Sequence, residues 1–255
     1  MSPYVWQVRW DEALFTVLLL AAYVLALRFF PAPRRRVACF AAAIALLVLA
    51  FQTPLEHVAL HYLLSAHLLQ NVILAEWAPA LAVLGVPAAM AAAIGRAPAV
   101  RVLVHPLVAL PLWLCTYMVW HLPPVYDAAL RRPESLLHLE HLTYFVTGAM
   151  LWWPVLQDAP RRLSDGVRAG YLFGAFVLAS PIGLLIALVP TAVYDFYLSA
   201  PERLFGLSRL EDQQLAGMTM AAEQAIVFFA VFGFYLLRFL AQEELGERRV
   251  TSGSP

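Results

Sequence analysis

The chain has 255 residues, 62% hydrophobic and 13% charged, against about 45–50% and about 25% in soluble domains, so a water-soluble globule does not fit. Its 17 basic residues are all arginine and balance 17 acids. That leaves no basic footprint for nucleic acid and, without lysine, no amine for Schiff-base chemistry with retinal or pyridoxal phosphate.

Seven apolar runs approach the roughly 20 residues a helix needs to cross a bilayer: 12–30, 37–53, 60–85, 103–121, 139–157, 168–190 and 213–239. They are apolar on all faces rather than alternating, which selects helices over a barrel. Asp11 and Glu12 precede the first run and Arg28 and Arg34–Arg36 follow it, the reverse of a cleaved signal peptide. Pro31 and Pro33 close the first run, Pro54 the second, and Pro123 with Pro124 the fourth. The predicted fold is an all-α polytopic membrane helix bundle of about seven transmembrane helices. It is one domain over 1–240, and the polar tail 241–255 is expected to be disordered. With the N-terminus outside, 12 arginines fall on inner segments and 5 on outer ones. The positive-inside rule then predicts N-out and a cytoplasmic C-terminus.

The third, fourth and fifth runs carry the informative polar residues. His67, Gln70 and Asn71 form one polar ridge, and His121 sits directly before a Leu-Pro-Pro break. His138 and His141, three apart, share a helix face. Glu134 joins that face if the helix starts early, and Glu140 points elsewhere. His57 and His61 read as solvated, and His105 as structural. Neutral imidazoles converging from several helices suit copper or zinc and can also ligate haem; the alternative is a set of headgroup-level anchors. In the seventh run Asp212 suits a helix N-terminus, and Met220 offers either a soft thioether for Cu(I) or packing. Glu76, Glu223 and Gln224 lie within apolar runs, as a relay or as interhelical hydrogen bonds. The two cysteines, Cys39 and Cys115, form no CxxC motif. HExxH, GxSxG, phosphate-loop and Rossmann motifs are all missing, so the sequence does not predict an enzyme.

These residues carry a resemblance. Ser65-Ala66-His67 with Gln70, Trp120-His121 with Tyr126, His138 to His141, Trp152-Trp153-Pro154, and Glu211 to Gln214 with Gly217 and Met220 occur in this order. In this the chain resembles the cytochrome c oxidase assembly factor CtaG family of multi-span membrane proteins. The resemblance implies a bacterial inner-membrane protein that helps form the copper centre of the catalytic subunit of caa-type oxidases, with a periplasmic copper chaperone as a further partner. It also implies a copper site near the outer face, drawn here from His67, His121, His138 and His141 with Asp212 and Met220. Asn71 departs from the family pattern, which has a second histidine at that place. The rival readings are a transporter or permease with an ionisable relay, and a haem-bearing electron carrier.

Overall fold

The computed structural model describes residues 3–6, 9–200 and 204–252, and all regular structure among them is helical. Helix α1 (Trp10–Leu27) buries only Glu12, Thr16 and Tyr23, and leaves most of its leucines and valines exposed. Exposed aliphatics of this kind are stable only against lipid or a partner. α2 (Arg34–Gln52) buries Phe40, Ala43, Leu47, Ala50 and Phe51 at helical spacing. Tyr23 stacks on Phe40 at 3.7 Å and donates to the Gly85 carbonyl at 3.0 Å, which pins α1 to its neighbours. The short α3 (Pro54–His61) is capped by Thr53, whose hydroxyl accepts from the Leu55 N–H.

The axis of the bundle is a 22-residue helix over 64–85. It consists of α4 (Leu64–Val72), a π-helical turn (Ile73–Trp77) and α5 (Ala78–Gly85). Pro79 has no N–H to donate to Ala75 four residues back, so the regular ladder cannot pass this point. The wider turn falls directly before it. Gly148 makes room for the altered backbone, since a Cβ there would stand 2.2 Å from the Ala75 oxygen.

After α6 (Ala88–Ile94) and α7 (Pro98–Leu103), α8 (Pro106–Trp120) stops at His121 and bends by 75° into α9 (Pro123–Leu130). A second π turn (Pro133–Leu137) leads into α10 (His138–Leu156), followed by α11 (Asp165–Leu188), the single turn α12 (Asp195–Leu198) and α13 (Arg209–Ser252). α11 and α13 pair closely at Gly183 and Gly217: a Cβ on Gly217 would lie 2.5 Å from the Gly183 oxygen.

The result is a helical membrane bundle, and its apolar helices make the protein multi-pass. Among the described residues, five helices have the length and apolarity to cross a bilayer by themselves, and a sixth follows if the bent pair α8–α9 is one span. The expected count of seven needs α10 as well. That helix has 19 residues but opens on His138, Glu140 and His141, which lowers its apolarity. Over 241–252 the chain continues α13 as helix. Ala241, Gln242, Glu243 and Glu244 are good helix formers that extend α13 past its apolar stretch. Residues 253–255 lie outside the described residues.

The two ends of the bundle differ chemically. At one end, Arg36 donates to the carbonyls of Leu84 and Val86, Gln157 binds the Val83 carbonyl, Arg168 pairs with Asp158 and Arg238 with Asp165. The histidines, except His105, gather at the other end.

Candidate metal centre

Three buried histidines share one feature that their ring partners decide. His141 on α10 is 3% exposed, and its Nδ1 lies 3.0 Å from Glu12 Oε1 on α1. A carboxylate only accepts, so Nδ1 carries the proton. His67 on α4 is fully buried, with Nδ1 3.0 Å from the Tyr197 hydroxyl. Tyr197 donates its own proton to the Ala59 carbonyl at 2.6 Å, so its oxygen accepts from His67. His121, at the end of α8, has Nδ1 2.7 Å from the Tyr117 carbonyl, again an obligatory acceptor. In the neutral state each ring is therefore the Nδ1–H tautomer, which leaves Nε2 with its lone pair.

Those three Nε2 atoms are buried and have no hydrogen-bond partner among the described residues. Leaving a buried acceptor unpaired costs roughly 1–3 kcal/mol, so three of them in one region need an explanation. Metal-binding imidazoles are held this way: one nitrogen ligates while the other donates to a carboxylate, carbonyl or hydroxyl that fixes the ring. Neutral imidazole nitrogen of this kind is chemically competent to hold a borderline or soft ion such as copper.

The rings neighbour one another in pairs. The centroids of His67 and His141 are 6.4 Å apart, those of His67 and Tyr126 5.2 Å, and those of Tyr126 and His121 6.3 Å. Tyr126 thus packs against both His67 and His121. No three His, Cys, Asp or Glu side chains among the described residues stand close enough to form a closed metal-binding group. The arrangement offers a two-nitrogen pair, His67 with His141, and a third nitrogen on His121.

His138 plays a different part. Its Nε2 is 2.7 Å from Asp11 and 3.5 Å from Glu12, with the Arg9 guanidinium at 3.1 Å. It forms a rim with Asp11 and Arg9, beside a cavity of about 190 Å³ that Glu12, Phe15, Phe51 and His141 also line. Behind the rim, Arg9 reaches Glu56, which also accepts from Gln70. Burial holds the Glu56 carboxyl above its usual range, against the pull of His141, Gln70 and Arg9.

The structure gives two other expected site residues other work. Asp212 accepts from the backbone N–H groups of Leu64 and Ser65 and from the Ser65 hydroxyl, at 2.9, 3.1 and 2.6 Å. It caps α4 from across the bundle, and both its oxygens are taken. Met220 is buried at the crossing of α11 and α13, where it backs Gly183. Glu140 is fully buried and accepts from Asn71 at 3.0 Å. Asn71 on α4 is thus tied to the helix that carries His141. His57 is buried rather than solvated and packs against His61 with ring centroids 4.5 Å apart. Burial, and then His61, hold it below the ordinary imidazole range. His105 caps α8, accepting from the Leu107 N–H at 3.3 Å.

Deeper in the bundle, the Gln224 amide donates to Glu76 at 2.9 Å and to the Tyr117 hydroxyl at 2.8 Å. Glu223 accepts from the Trp77 indole. These groups join the π turn of the central helix to α13 and α8.

The residues that orient the imidazoles escape sequence reasoning. Glu12 precedes an apolar run and reads as a flank, and Tyr197 lies in a loop segment with no motif. Only the net polarity of the N-terminal Arg9-Trp10-Asp11-Glu12 stretch hints at a partner. The family model of the cytochrome c oxidase caa3 assembly factor matches residues 17–242. No curated protein and no solved structure matches the chain.

Proposed function

The chain belongs to the cytochrome c oxidase caa3 assembly factor family, and we propose that it serves assembly as a non-enzymatic membrane donor of Cu(I), with the ion as cargo. The observation that supports this reading is the set of three buried imidazoles, each locked as the Nδ1–H tautomer with Nε2 unpartnered. His67 and His141 would hold the ion between neutral nitrogens, and His121 would offer the next nitrogen toward the break between α8 and α9. Two nitrogens give a low-coordinate, exchangeable site, which suits a donor better than a closed cage.

The partner is the catalytic subunit of the oxidase, with a soluble copper chaperone as the source. The histidine end faces outward in the bacterial inner membrane and the arginine-rich end faces the cytoplasm, as the arginine bias suggests. Reporter fusions after Arg36 and at the C-terminus should both report cytoplasm.

The test of the reading is Cu(I) titration of the purified chain against a coloured chelator under reducing conditions. His67→Ala with His141→Ala should abolish stoichiometric binding, whereas His138→Ala should leave it within a few fold. Unchanged binding in the double variant would return the histidines to a packing role. In cells, deletion should leave an oxidase with haem but without its active-site copper. A deletion strain with fully coppered oxidase would contradict the assembly role.

The Glu76–Gln224–Tyr117 contacts favour a second reading, an ionisable relay. Under it, Glu76→Gln would abolish function while leaving Cu(I) affinity intact.

A further inference from the structure

The arginine-rich end contains a feature that the copper reading does not use. A cavity of about 360 Å³ lies between the start of α8, the end of α10 and the segment 159–163. Its charged or titratable lining residues are Arg101, Arg161 and His105, and no carboxylate lines it. The nearby acids are already engaged: Asp158 holds Arg162 and Arg168, and Asp165 holds Arg238. Arg101 donates through Nε to the Gly95 carbonyl at 3.0 Å, and neither Arg101 nor Arg161 has a carboxylate partner among the described residues.

The tautomer of His105 makes the cavity more specific. Its Nδ1 accepts from the Leu107 N–H at 3.3 Å, so in the neutral ring the proton sits on Nε2. Nε2 lies 3.4 Å from Arg161 Nη1, which is also a donor. Two donors therefore face each other with no acceptor between them. An oxygen carrying negative charge would satisfy both, and the positive end of the 15-residue α8 dipole starts at the same place.

The surroundings suggest where such an oxygen comes from. Val104, Pro106 and Leu163 give the cavity an apolar wall. Leu107 is 80% exposed beside it, so the mouth borders the lipid-facing surface of the bundle. The Trp153 indole N–H is spent on the Ala159 carbonyl at 2.6 Å, so its ring contributes only apolar area. We propose that this cavity binds the phosphate of an anionic phospholipid headgroup, with Arg101, Arg161 and His105 Nε2 as donors and the apolar wall against the glycerol.

The test uses the full chain in nanodiscs of phosphatidylcholine containing graded phosphatidylglycerol, with bound lipid read by native mass spectrometry. Phosphatidylglycerol should be retained in preference to phosphatidylcholine. Arg101→Gln with Arg161→Gln should weaken that retention about tenfold or more, since each interfacial arginine contributes substantially to anionic-lipid binding. Arg34→Gln with Arg35→Gln removes two charges from the same end outside the cavity and should change it less than twofold. Competition by millimolar inorganic phosphate would keep the phosphate chemistry and identify the free anion as an alternative source. Resistance to it would identify the lipid. Equal retention of both lipids, equal loss in both double variants, or no loss in the first would overturn the proposal. If the first double variant does not fold, because Arg101 holds Gly95, Arg161→Gln alone carries the test, and unchanged retention there would equally overturn it.

Discussion

Replacing Glu12 by Gln tests the tautomer lock on His141. The amide keeps an oxygen that can accept from Nδ1–H, but it removes the charge. Hydrogen bonds to charged groups contribute about 1.5–3 kcal/mol and neutral ones about 0.5–1.5 kcal/mol. The swap therefore loosens the ring by about 1–1.5 kcal/mol, which corresponds to roughly tenfold in affinity. Water cannot restore the loss, because Glu12 is 6% and His141 3% exposed. Cu(I) affinity measured by anaerobic chelator competition should thus fall about tenfold in Glu12→Gln. In Glu12→Ala, which deletes the acceptor, it should fall toward the 100-fold end of the range for ligand-orienting partners. Asp11→Asn alters only the His138 rim and should shift affinity less than twofold. If both Glu12 variants bind Cu(I) as tightly as the wild type, the ring is not held for metal.

Other predictions concern the frame around the site. Gly148→Ala drives a methyl group into the Ala75 carbonyl of the π turn; it should cost about 1–3 kcal/mol of stability and lower the thermal midpoint in detergent. Asp212→Ala should cost about 1–2 kcal/mol as a lost helix cap while Cu(I) affinity stays unchanged, and a lost copper signal in a folded variant would restore it as a ligand. Tyr197→Phe strands both His67 Nδ1–H and the Ala59 carbonyl, so stability and Cu(I) affinity should fall together in unfolding and chelator assays. Glu56, raised by burial from 4.5, contributes most below its unfolded pKa, and that contribution is lost as pH rises through the folded value. Glu56→Gln should flatten the decline of stability above about pH 4.5, as read from unfolding midpoints across pH.

What the sequence determined by itself is local. Long apolar runs must be helical in lipid, because only a helix satisfies each backbone group within one segment. Helical spacing put His138 and His141 on the same turn, and the arginine distribution separated one end of the bundle from the other. The family likeness rested on short motifs along α4, α8, α10 and α13, and the family model spans those helices. Spacing could not tell which histidine is free to bind. His138 and His141 look equivalent in sequence, yet Asp11 takes Nε2 of the first while Glu12 leaves Nε2 of the second bare. The deciding partners are remote: Glu12 lies 129 residues from His141, Tyr197 lies 130 from His67, and Asp212 caps a helix 148 residues away. A protonation state depends on which nitrogen finds an acceptor. Those acceptors reach the rings only when α1, the α12 segment and the bundle core pack together, so which imidazole nitrogen is left bare was a decision of the tertiary structure.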